Sequence, residues 1–153
     1  VTTGGASVGD HDLVQAALVN IGAQMDFWKV AMRPGKPLMA GKVGKAVVLG
    51  LPGNPSSAFV TAFLFLLPLI LHKAGCTTPL PALFEAATAT DLPAGGDRAE
   101  YLRATVEGGH ITPLISQDSG LTRTLSQANA LLLQQPHVPP RPKGTMVQYM
   151  RLS

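Results

Sequence analysis

Apolar residues recur at helical spacing near the start of the chain. Leu13, Val14, Ala17, Leu18 and Ile21 form one stripe, which predicts an amphipathic helix from Asp10 or His11 to Ile21 with Gly22 as its stop. The pattern then turns extended. Residues 26–32 read as a strand, Arg33-Pro34-Gly35-Lys36-Pro37 as a turn, residues 37–40 as a second extended run, and 41–45 as a hairpin connection. Residues 46–51 (AVVLGL) are apolar throughout, as expected of a strand covered on both faces. Pro52-Gly53-Asn54-Pro55-Ser56-Ser57 follows as a loop opening a helix, with Asn54 as cap and Pro55 at the first helical position. The helix contains the most apolar stretch, 58–71, and closes on His72, Lys73 and Gly75. Beyond a stiff linker at 77–81, short runs punctuated by Gly and Pro predict strands at 83–90, 100–107, 111–115, 130–134 and 145–152. The chain therefore divides into an α/β part, residues 1–76, and a small antiparallel sheet or barrel, residues 77–153.

Composition narrows the setting. At 153 residues and 46% hydrophobic, the chain can bury a core in one ordinary domain or two small ones. A net charge of +3, from 12 basic and 9 acidic residues, weakly favours anionic ligands. No basic run with interleaved aromatics is present, which argues against a nucleic-acid partner. Cys76 is the only cysteine, so no internal disulfide can form and a reducing, cytoplasmic setting is expected. The 58–71 stretch is shorter than the roughly 20 residues that span a bilayer and contains Pro68, so we read it as a core helix and expect no membrane association. Neither is a signal peptide expected.

Candidate chemistry concentrates in the first half. Thr3-Gly4-Gly5-Ala6-Ser7 runs from a strand end through glycines toward a helix start, a geometry that aims backbone N–H groups and a helix dipole at an anion. It matches neither the dinucleotide fingerprint nor the P-loop. Only the end of that strand is expected here, and we expect a larger protein around this segment. Asp10 reads as a cap or first-turn acid. On a regular strand Lys29 and Arg33 would share a face, and paired cations are tolerated best with an anion between them. The PGKP and PGNP loops are rigid turns, and PGNP leaves a buried strand at the carboxyl edge of the sheet, where α/β proteins bind ligands. Together with the TTGG loop it would form two walls of one pocket, with Ser57 adding a hydroxyl. Trp28 reads as core or interface, and His11, His72, His110 and His137 have no partner at metal-ligand spacing.

In order and spacing, TTGGASVGDHD, FWKVAMRPGKP and GLPGNPSSAF resemble the MoeA-type molybdopterin molybdenumtransferases, the family of the gephyrin E domain. The resemblance is strong to Gly75 and looser beyond. It implies the second half of a MogA-like three-layer pterin-binding domain followed by a small antiparallel β-barrel, within an elongated homodimer. The implied activity is insertion of molybdate into adenylylated molybdopterin, with divalent-metal-dependent cleavage of the pyrophosphate and release of AMP, after adenylylation by a MogA-like partner. Carried onto this sequence, Asp12 is the catalytic and metal-positioning acid, for Mg²⁺ or another divalent ion. Thr3, Gly4, Gly5, Ser7, Lys29, Arg33, Pro34, Gly35, Lys36, Pro52, Gly53, Asn54, Pro55 and Ser57 line the substrate site. The family more often has Lys where Arg33 stands. In the barrel half, DRAEYLRA and QDSGLTRTLSQAN resemble family segments, making Arg98, Arg103, Ser119 and Ser126 candidates for contacts to the other subunit's site. Residues 1–153 alone would turn nothing over. Two other readings share parts of this pattern: a MogA- or CinA-like pterin-nucleotide domain, which is not expected to carry the PGKP hairpin and barrel, and a gephyrin-like peptide-binding scaffold.

Overall fold

The computed structural model describes residues 1–4, 13–117 and 122–152. Two units emerge, one from Val1–Val30 with Pro34–Pro79 and one from Ala31–Arg33 with Leu80–Ser153.

The first unit holds a four-stranded sheet of β1 (Thr2–Thr3), β2 (Gln24–Phe27), β4 (Met39–Val43) and β5 (Ala46–Leu51), in the order β1-β5-β4-β2. β1 runs parallel to β5, while β5–β4 and β4–β2 are antiparallel. Helix α1 (Leu13–Asn20) ends as its sequence predicts: Gly22 adopts φ +81 and the Ala23 N–H closes on the Leu18 carbonyl. Its apolar stripe has no buried residue, and Leu13, Val19 and Ile21 are exposed.

The long helix departs from simple α geometry. α2 (Pro55–Thr61) passes through a π-helical turn, Ala62–Leu66, into α3 (Leu67–Lys73). Pro68 has no N–H for an α-helical bond and its ring crowds the preceding turn, so the backbone widens just before it and the Leu67 N–H reaches back five residues to the Ala62 carbonyl. Gly75, at φ +89, ends the helix, with the Cys76 N–H on the Leu71 carbonyl. The expected core helix is buried along one face only. Ala58, Ala62, Phe65 and Leu66 pack on Leu38, Leu49 and Leu51, while Phe59, Leu67 and Ile70 are exposed. By length and composition this 19-residue segment, Pro55–Lys73, is the one described helix long and apolar enough to cross a membrane.

The second unit is a closed ring of five strands. β6 (Phe84–Thr88), β7 (Ala99–Glu107), β8 (His110–Pro113), β9 (Ala130–Gln134) and β10 (Met146–Arg151) join in the order β7-β8-β6-β10-β9, and β9 pairs back onto β7. Only the β6–β8 joint of the ring is parallel. Five strands enclose little space, and the inward positions suit it: Ala86, Ala104 and Ala130 are small, with Ile111, Leu132, Val147 and Tyr149 filling the rest. A six-residue helix, α4 (Thr122–Gln127), precedes β9 and was not expected from the pattern. The α/β-plus-barrel architecture is the one the sequence implied.

The predicted strand at 26–32 is corrected. It is two strands in two sheets: β2 ends at Phe27, Trp28 bends away, and β3 (Met32–Arg33) adds to the edge of β7 in parallel. The β2 ladder is bulged between Met25 and Phe27, and its last pair is Phe27 with Ala40.

Candidate functional site

The parallel pair β1 and β5 places two loops side by side. Thr2 lies opposite Gly50 and Thr3 opposite Leu51, so the chain leaves both strands at the same carboxyl edge. The Gly4 N–H donates to the Leu51 carbonyl at 3.1 Å, and Gly4 takes φ +78. Gly53 then comes so close that a Cβ on it would lie 3.2 Å from the Gly4 Cα. At Gly53 a side chain would press on this backbone, whereas at Gly4 it is the left-handed φ that favours glycine.

Beyond Gly53 the helix start is fixed locally. Asn54 is extended (φ −72, ψ 126), and its Oδ1 accepts from the Ser57 N–H at 3.2 Å and from the Ser57 hydroxyl at 3.4 Å. Pro55 occupies the first turn, where no N–H is needed. The Ser57 hydroxyl, a sequence candidate, is thus engaged with the cap. Two hydroxyls the sequence did not single out differ: Thr2 Oγ1 and Ser56 Oγ are buried without a hydrogen-bond partner among the described residues. Such groups cost stability unless something satisfies them. No sequence pattern marks them, since burial of a hydroxyl is set by tertiary packing.

The basic residues are arranged differently from expectation. The 30–36 segment closes on itself through the Val30 N–H and the Lys36 carbonyl, 3.0 Å apart, with Gly35 buried at φ +109 in the bend and Pro34 half-buried. That closure draws the chain at Lys29 toward Lys36, and both side chains are exposed. The Lys29/Arg33 pairing predicted from strand alternation is therefore corrected, because the two residues lie on no common strand. Arg33 instead sits opposite Glu100 in the β3–β7 register, its Nη1 3.4 Å from Glu100 Oε1.

Of the remaining candidates, Thr3 is exposed at the end of β1, Pro52 is buried, and Gly53 and Pro55 are exposed. Gly5, Ser7, Asp12 and Ser119 lie outside the described residues, as does Asp10. Arg98 is half-buried before β7, and Ser126 is exposed on α4. Arg103 is 2% exposed on β7, where its backbone N–H and carbonyl are held by the Gln117 side-chain amide at 3.0 and 2.9 Å. Next to these, burial pushes the Tyr101 phenol above its ordinary pKa. The described histidines do not assemble, and among the described residues no group of three His, Cys, Asp or Glu could hold a metal.

Residues 1–72 match the family described as "Probable molybdopterin binding domain", and residues 85–152 match "MoeA C-terminal region (domain IV)". The two match in the order the sequence motifs implied. A curated Bacillus subtilis protein, molybdopterin molybdenumtransferase, is 36% identical over 137 residues, 87% of this chain and 32% of its own length. This chain belongs to the MoeA-type family. The Haemophilus influenzae molybdopterin molybdenumtransferase is 48% identical over 75 residues, 49% of this chain and 18% of that protein. A crystal structure of a molybdopterin biosynthesis MoeA protein from Pyrococcus horikosii superposes with a TM-score of 0.80 at 23% identity, covering 99% of this chain and 36% of that one. The MoeA-type chain thus spans about a third or less of these relatives. Its C-terminal match separates it from a lone MogA- or CinA-like domain.

Proposed function

We propose that the protein carrying this MoeA-type chain inserts molybdate into adenylylated molybdopterin, with cleavage of the nucleotide pyrophosphate and release of AMP. The observation that carries the reading is the approach of Gly4 and Gly53 at the shared carboxyl edge of β1 and β5. Loops at that edge of a parallel pair, one of them opening a helix, suit a phosphorylated ligand. Thr3, Gly4, Pro52, Gly53, Asn54 and Pro55 would shape the cradle, with Gly5 and Ser7 continuing it. Asn54 and Ser57 act by holding the helix start in place.

Lys29 and Lys36, exposed near the closure of the 30–36 bend, are the cations assigned to the oxyanion. Ammonium groups fixed beside a phosphoryl or molybdate oxygen offset the charge that grows as the pyrophosphate is cleaved. A divalent ion would supply Lewis-acid polarisation of the phosphate oxygens. The described residues offer no ligand set for one, so only Asp12, beyond them, is assigned to it. The same reading takes the working protein as a cytoplasmic homodimer supplied by a MogA-like adenylyltransferase, with Arg98, Arg103, Ser119 and Ser126 contributing to the partner subunit's site.

AMP release from adenylylated molybdopterin, followed with and without molybdate on the full-length protein, tests the proposal. Molybdate-dependent release is expected. Release at the same rate without molybdate, or none in either case, would reject it.

A further inference from the structure

The family motif puts Arg33 among the substrate ligands, but its surroundings say otherwise. β3 is two residues long and belongs to the barrel: the Ala99 N–H donates to the Ala31 carbonyl at 3.1 Å, Met32 is 2% exposed, and Arg33 faces Glu100 in register. The residue before a proline is driven toward extended backbone, which fits Arg33 to a strand immediately ahead of Pro34. Its guanidinium then pairs with a carboxylate that is itself largely shielded, at 16% side-chain exposure against 62% for Arg33. A carboxylate at that distance repels any oxyanion approaching the same guanidinium, so Arg33 is poorly placed as a free anion ligand. Lys36, three residues on, forms no ion pair among the described residues.

We propose that Arg33 is a positioning residue, which fixes the backbone opening the Pro34–Gly35–Lys36 turn by pairing with Glu100, and that it does not hold the oxyanion itself. The inference rests on the functional reading above. It makes Glu100, absent from the motif-derived site, a residue on which substrate affinity depends.

The two roles give opposite signs for Glu100→Gln. If Arg33 binds the oxyanion, removing the competing carboxylate frees it and lowers KM for molybdate. If Arg33 positions the turn, the same change loosens β3 and raises KM by about two- to fivefold, the range set by an exposed ion pair, with kcat little altered. Steady-state AMP release by the full-length protein reads this directly. Arg33→Glu should raise KM, and the exchanged pair Arg33→Glu with Glu100→Arg should bring it back to within about twofold of wild type. A lower KM in Glu100→Gln, or an Arg33→Glu defect that Glu100→Arg leaves uncorrected, overturns the inference. Should a charge-reversed variant not fold, the sign for Glu100→Gln still decides, with Arg33→Lys expected to stay near wild type. A wild-type protein without molybdate-dependent AMP release would reject the functional reading instead.

Discussion

A side chain at Gly53 would be tight, because the atom that a Cβ would meet at 3.2 Å is backbone, the Gly4 Cα, which would have to give way. Gly53→Ala should therefore part the two loops, costing about 1–3 kcal/mol as an overpacking change. Titration of full-length protein with adenylylated molybdopterin should show weaker binding, and unaltered affinity and melting temperature would remove Gly53 from the proposed cradle. At Tyr101 the effect is on pH. Burial raises the phenol's pKa above that of the unfolded chain, so from about pH 10 upward the unfolded state loses its proton first and stability falls as pH rises toward the folded value. Thermal melts between pH 8 and 11 should show an alkaline loss that is smaller in Tyr101→Phe. Neither effect is legible in the sequence: GLPG reads equally well as a turn, and a tyrosine in a half-apolar strand carries no mark of its burial.

Among the elements, those with local signals are legible in the sequence. Gly22 and Gly75 end their helices in left-handed backbone, and Asn54 caps α2 with Pro55 behind it, because these residues act through near neighbours in the chain. Asn54→Ala should remove the cap and cost about 1 kcal/mol, measured as a lower denaturation midpoint, with the freed Ser57 hydroxyl left beside the site. An unchanged midpoint would show that the N-terminal turn is held by packing alone. Residues 26–32 look like one strand by composition, but pairing partners decide strands, and here β4 captures one part and β7 the other. The π turn before Pro68 follows from a missing donor, which a hydrophobicity pattern does not register.

For the whole molecule, closure of the barrel should make it independent. Five strands bond in a ring that needs neither β3 nor the α/β unit for its hydrogen-bond circuit, and its interior supplies its own core. A fragment of residues 80–153 is expected to unfold in one cooperative thermal transition with β-type circular dichroism; a broad, non-cooperative melt would show that the ring depends on the rest of the chain. The sequence by itself determined the family, the α/β-plus-barrel architecture and the helix ends, because each is written in adjacent residues or short motifs. Only tertiary structure decided which loops touch, through Gly4 and Gly53, and where each charge is used. Arg33 and Glu100 are far apart in the chain, and it is the β3–β7 register that brings an apparent anion ligand against a carboxylate.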